Sequence, residues 1–269
     1  GYLLERLYNG IGQNYGIALI LFTIILRIIL LPLTIKQQKS MKKTTELQGK
    51  MQEIQFKYKN NPELMNKEIM DLYKRENLSP FSGCISSIVQ ILIILSVFYL
   101  VSRPLTYMKK IDPGIIENYR NEISAENDGK ISNYYEIEII QKKAAQDENI
   151  KVNMDFLGLD LSKVPSQNMT DIKVYIIPIL YVISSIFSIK MTTGKTNKKE
   201  QNGSSQPDMT QQMNKSMSYM MPIMAVSIAF VAPLGLALYW LISNILMILE
   251  RIVINKYVDS KEEKTLCLK

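Results

Sequence analysis

Histidine is missing from all 269 residues. That removes at one stroke the usual general base, the common activator of a nucleophile and the commonest metal ligand. Cysteine is nearly missing: Cys84 and Cys267 lie far apart, in no metal-ligand spacing and no disulfide framework. These absences argue against an enzyme, and neither a metal nor another cofactor is expected. An initiating methionine is also missing, since the chain starts at Gly1. A processed or trimmed product is therefore expected, with any signal segment upstream out of view. Charge is scarce wherever the chain is apolar.

What is present is strong segregation, hidden by a mean hydropathy of +0.00 and 47% hydrophobic content. Apolar runs near 20 residues are unnecessary in a soluble core but suit a hydrocarbon layer roughly 30 Å thick. Such runs cover Gly16 to Ile35, Phe81 to Val101, the shorter Val174 to Ile189, and one long stretch from Met217 to Ile254. The last divides at Pro233-Leu234-Gly235, because proline and glycine punctuate a tight turn between antiparallel helices. The expectation is an all-α polytopic membrane protein with five transmembrane helices and a cytoplasmic helical hairpin. Its segments are an outer piece and first span (1–35), the hairpin (36–77), the second span (78–103) and an extracytoplasmic loop (104–172). The third span (173–190), a flexible cytoplasmic loop (191–215), the fourth and fifth spans (216–256) and a cytoplasmic tail (257–269) follow.

Lysine and arginine set the orientation. The connection from Lys36 to Asn77 holds ten of them against six acids, and the one from Pro104 to Asp171 holds eight against twelve. From Lys190 to Ser216 there are five against two, and after Ile254 four against three. The alternation places the N-terminus outside and the C-terminus in the cytoplasm. Both cysteines then fall on the reducing side. The net charge of +7 fits an anionic membrane surface better than nucleic acid, which is not expected to be read directly.

The connections carry patterns of their own. Leu47, Met51, Ile54 and Tyr58 are spaced 4, 3, 4 and give one apolar stripe on a charged helix. Asn60-Asn61-Pro62 breaks it, with Asn61 as cap and Pro62 opening a second helix whose stripe is Met65, Ile69 and Leu72. A solvated linker with accidental periodicity is the rival reading. As a projecting pair, the hairpin would offer Lys42, Lys43, Lys50, Lys57 and Lys59 to lipid head groups or a partner. In the outer loop, Tyr135 to Ile139 alternates like a strand, yet Ile131, Tyr134 and Glu138 also fit a helix; both stay open. Asp155 to Leu161 looks like an amphipathic strip at the outer interface. Met191 to Asn214 has the composition of a disordered linker.

Arg27 is the residue to explain. It stands about 12 Å and 16 Å from the two ends of its span at helical rise. A central arginine costs roughly 2.5–3.5 kcal/mol or more, so it normally faces a wet cavity or a partner. Gly16, Thr23, Arg27 and Thr34, spaced 7, 4, 7, share its face. A structural ion pair is the rival account, and Glu250, near the cytoplasmic end of the fifth span, is its only candidate. The balance favours an unpaired functional charge. Ser82, Ser86, Ser87 and Gln90 crowd the cytoplasmic half of the second span, and Ser184, Ser185 and Ser188 that of the third. The outer halves are almost wholly apolar. A groove wet from the cytoplasm and sealed outside is the expectation.

At this point the sequence resembles a known family. Leu26-Arg27-Ile28-Ile29-Leu30-Leu31-Pro32-Leu33, with the Lys/Gln/Met-rich stretch after it, resembles the first core span of the YidC/Oxa membrane protein insertases. Asn77 to Gln90 resembles their second span, and Phe156-Leu157-Gly158-Leu159-Asp160-Leu161 the strip before their third. Met220 to Met224, Pro233 to Trp240 and Ser243-Asn244 resemble their last pair. The matches come in family order and cover most of the chain outside residues 105–150. Three departures stand out: Ile91 follows Gln90 where the family often has proline, Glu250-Arg251 stands where glutamine is common, and the outer loop is longer. With no large soluble domain expected ahead of the first span, the chain resembles the shorter form of Gram-positive bacteria.

The resemblance implies a five-helix core in a bacterial cytoplasmic membrane. Its groove would receive the hydrophilic tail of a nascent membrane protein, Arg27 would attract acidic residues in that tail, and the substrate's apolar span would partition into lipid. Tyr239, Trp240 and Asn244 join the groove on this reading. The implied partners are nascent membrane proteins, the bilayer and, more remotely, the ribosome, the signal recognition machinery and the Sec translocon. A transporter or channel for a small anion would use the same arginine, but would want polar residues on both sides of it. A pure scaffold gives no reason for it.

Overall fold

Apolar length and helix punctuation decide the elements. The computed structural model of the chain describes residues 1–76, 82–193 and 227–266. The helices are α1 (Tyr2–Gly10), α2 (Tyr15–Lys57), α3 (Pro62–Arg75), α4 (Ser82–Ser102), α5 (Pro113–Glu126), α6 (Tyr135–Lys143), α7 (Ile176–Thr193) and α8 (Leu234–Leu266). The two short strands, β1 (Asp155–Phe156) and β2 (Leu159–Asp160), pair antiparallel. The chain divides into two compact units, Gly1–Arg27 with Phe98–Lys269, and Ile28–Val97.

Among the described residues, three stretches are long and apolar enough to cross a membrane: Tyr15–Ser40, Ile172–Met191 and Leu234–Ile254. In α4 the stretch Ile91–Ser102 is apolar but shorter. Of the expected fourth span, residues 227–231 are helical and 216–226 lie outside the described residues.

Helices run across two of the segment boundaries read from the sequence. No helix break separates the first span from the hairpin, because α2 runs unbroken for 43 residues. Lys36 marks a change in the polarity of the side chains, not of the backbone. The tail beyond residue 256 likewise continues α8 as far as Leu266.

In the second unit the break at Asn60 to Pro62 is built as expected. The Asn61 side chain accepts from the Leu64 amide at 3.1 Å, and Pro62 opens α3. Lys50 meets Glu76 at 2.8 Å, and the Tyr73 hydroxyl donates to the Met51 sulfur at 3.6 Å. Leu47 and Leu72, one from each apolar stripe, are buried. The Lys50 ammonium holds the Glu76 carboxyl below its ordinary range.

The first unit contains residues 104–172, and their conformation settles the open reading. Tyr135 to Ile139 is helical, because Ile137, Ile139 and Ile140 are buried together with Glu136 while α6 packs on α5. Asp112 caps α5 through the Gly114 amide at 2.8 Å, and Pro113 supplies its first turn. Lys143 sits 3.0 Å from both Glu122 and Glu126, so its ammonium is held above and the Glu126 carboxyl below the ordinary range.

Residues 155–160 fold as a tight hairpin. Leu157 and Gly158 turn it with φ of 55° and 75°. A side chain at Gly16 would collide with the Phe156 ring, which lies 2.5 Å from the position its Cβ would take. Beyond the hairpin, the Leu161 and Lys163 carbonyls accept from the Gly235 and Leu234 amides at 2.8 and 2.9 Å. Those first amides of α8 would otherwise lack partners. The helix break at Ala232-Pro233 is thereby fixed to residues 161–163.

Candidate functional site

The site grows from three helices of the first unit. Tyr15 starts α2, donating its hydroxyl to the Val101 carbonyl at 3.2 Å, while its amide donates to Asn153. Two turns later, Thr23 is buried and its hydroxyl donates back to the Leu19 carbonyl at 2.6 Å. One more turn brings Arg27, whose side chain keeps 19% exposure.

Arg27 is paired, contrary to the expectation from sequence. Its Nη1 lies 3.6 Å from Glu250 Oε2, and its Nη2 donates to the Ser243 carbonyl at 3.1 Å. Two turns of α8 separate Ser243 from Glu250, so both lie on one face. The physical reason is simple: a midspan cation and the one acid within reach of it attract by about 4 kcal/mol at an effective dielectric of ~20. Removing both ions from water offsets much of that. The pair is loose, since Glu250 Oε2 is buried yet receives no hydrogen bond.

The α7–α8 contact is polar at the same level of α8. Asn244 Nδ2 donates to the Ser184 hydroxyl at 2.8 Å and lies 3.4 Å from that of Ser185. Ser184 in turn donates to the Tyr181 carbonyl at 2.9 Å. Tyr239 is buried, and Trp240 and Ser188 are half-buried.

The remaining sequence candidates belong to the second unit. Thr34 belongs to the second unit, with its hydroxyl turned back on the Leu30 carbonyl at 3.1 Å. Ser86 and Gln90 lie on α4, but their side chains fall outside the described residues, as does that of Lys42. Lys43, Lys50, Lys57 and Lys59 are exposed. Thus Arg27 comes together with Ser243 and Glu250, while Ser184 comes together with Asn244. Sequence reasoning did not include Ser243 or Ser185 among its site residues. Ser243 acts through a main-chain carbonyl, which no residue type announces.

Comparison with known proteins follows this geometry. The sequence model of the 60Kd inner membrane protein family matches residues 6–262. The chain is 31% identical over 255 residues to the membrane protein insertase YidC of Treponema denticola, an alignment that covers 95% of this chain and 36% of the relative. To the protein of the same name from Geobacter metallireducens it is 30% identical, covering 94% and 35%. To that of Oceanobacillus iheyensis it is 28% identical over 265 residues, covering 97% and 82%. The chain therefore spans about a third of the length of the first two relatives and most of the third.

Proposed function

The chain belongs to the 60Kd inner membrane protein (YidC/Oxa) family, and from that premise we propose that it is a membrane protein insertase of the bacterial cytoplasmic membrane. The observation that carries the reading is a guanidinium held within an apolar span, anchored by a main-chain carbonyl and still part-exposed. Such a group attracts a carboxylate without performing covalent chemistry. A nascent protein's acidic tail would enter a groove open to the cytoplasm, and burial of the substrate's own apolar span in lipid would drive release.

Five spans, an outside N-terminus and a cytoplasmic C-terminus complete the proposal. Thr34, Ser86, Gln90, Ser188, Tyr239 and Trp240 would add polarity to the groove, and the exposed lysines of the hairpin would meet head groups or a targeting partner. Orientation is tested with single cysteines at Ser124 and Asn202 and an impermeant thiol reagent on intact cells. Labelling of position 124 alone supports it; labelling of 202 alone overturns it.

The function is tested with the full chain in proteoliposomes and single-span test proteins bearing acidic tails. Protease protection of the tail should exceed that in protein-free vesicles. Arg27→Ala should lower it about tenfold, whereas Arg27→Lys, which keeps the charge, should retain much of it. A chain that conducts chloride and inserts nothing would support the transporter reading in its place.

A further inference from the structure

We propose that Glu250 is an internal stand-in for the substrate's carboxylate, occupying Arg27 at rest and setting how acidic a tail must be to enter. The proposal rests on the insertase reading and concerns the regulation of that same site.

The two ends of the ion pair are held unequally. Arg27 has a fixed partner, because Nη2 donates to the Ser243 carbonyl at 3.1 Å, part of the α8 backbone. Glu250 Oε2 has none of that kind among the described residues. It is buried, accepts no hydrogen bond from them, and meets Nη1 only at 3.6 Å. Its carboxylate can therefore leave by rotating its own side chain while the guanidinium stays in place.

Geometry also says what would displace it. A guanidinium is a planar fork that binds a carboxylate best through two parallel N–H···O bonds at about 2.8 Å. Glu250 does not reach that arrangement, with one oxygen beyond hydrogen-bond distance. A mobile carboxylate on an arriving tail is free to reach it. It must still compete with a counter-ion tethered beside its target, which lowers the apparent affinity of every acidic tail by the fraction of time Arg27 is occupied. A tail with one carboxylate pays this in full. A tail with several has repeated chances and a higher local concentration of charge. The pair thus acts as a threshold, favouring strongly acidic tails over weakly acidic ones.

The test uses the full chain in proteoliposomes with three single-span test proteins, whose translocated tails carry four aspartates, one aspartate, or asparagine in their place. The readout is the ratio of one-aspartate to asparagine tail protected from protease. Glu250→Gln should raise that ratio about tenfold, equivalent to ~1.4 kcal/mol, and narrow the gap between one and four aspartates. Glu250→Asp, which draws the carboxylate back by one methylene, should raise it less. A general loss of packing would move all three tails together and leave the ratio alone. If wild type inserts the four-aspartate tail but neither variant changes the ratio, the threshold is wrong and the insertase reading stands. If wild type inserts no tail above protein-free vesicles, the insertase reading falls and the threshold with it.

Discussion

Two buried carboxylates in the same unit are treated in opposite ways. Glu136, in α6, is wholly buried and bonded through both oxygens: one accepts from the Thr106 amide at 3.0 Å, the other from the Thr106 hydroxyl at 2.6 Å. Glu250, in the last span, keeps 11% exposure and faces a full positive charge, yet its buried oxygen receives no hydrogen bond. Hydrogen bonds fix a position, whereas charge alone attracts without fixing. The first carboxylate is built into the fold. The second is held in a form that something else can take over.

The strongest way to break the comparison is Glu136→Ala. It would strand the Thr106 amide and leave a cavity beneath α6, so the fold around α5 and α6 should lose about 2–4 kcal/mol. Faster amide exchange across residues 105–143 would report it. A loss below that of any Glu250 variant would contradict the contrast.

Arg27→Ala comes next. It leaves the Glu250 carboxylate without its counter-ion in a largely dry place. Breaking a buried pair costs 3–5 kcal/mol when burial is complete, and partial exposure here reduces that to roughly 1–3 kcal/mol. Thermal unfolding in detergent measures it.

Glu136 should also show itself in the response of stability to pH. Burial pushes the Glu136 carboxyl up, against the opposing pull of the Thr106 and Leu105 donors and of Arg103. The folded state then keeps its proton to higher pH than the unfolded chain, whose glutamates titrate near 4.3. Stability from this group is present below that value and is lost as pH rises through the raised one. Wild type minus Glu136→Gln, measured by unfolding across that window, should fall with increasing pH. A difference that rises instead would mean a carboxylate stabilised in its charged form.

The smallest effect is expected at Asn244. Removing its bond to Ser184 by Asn244→Ala should cost about 0.6–1 kcal/mol, the ordinary worth of an interhelical side-chain bond in a membrane. A cost as large as that of Glu136→Ala would move the structural weight of the unit to the α7–α8 contact.

How much of this was legible depends on what each residue must report. The span positions of α2, α7 and α8 follow from apolar length, and the Asn61 cap with Pro62 follows from backbone chemistry. The join between first span and hairpin follows from the same physics. Both halves have a helical period, and nothing between Ile35 and Lys57 stops a helix, so the two run on as one. Residues 135–139 carry both periods at once, and only the burial of Ile139 with Glu136, bonded to Thr106 thirty residues away, decides. The turn at Leu157 was illegible for another reason: a leucine at φ 55° is a conformation its side chain does not favour. At the candidate site Arg27 was visible as a charge out of place. Glu250 was visible as the one acid within reach, but sequence carries no distance.

The most direct measurement is the double change Arg27→Ala with Glu250→Gln, followed by thermal unfolding and by insertion of the four-aspartate tail on the same preparation. Removing the stranded carboxylate should restore the stability lost in Arg27→Ala, while insertion stays lost, because the charge that captures the tail is gone. Recovery of insertion together with stability would contradict the account and leave Arg27 as a structural partner of Glu250.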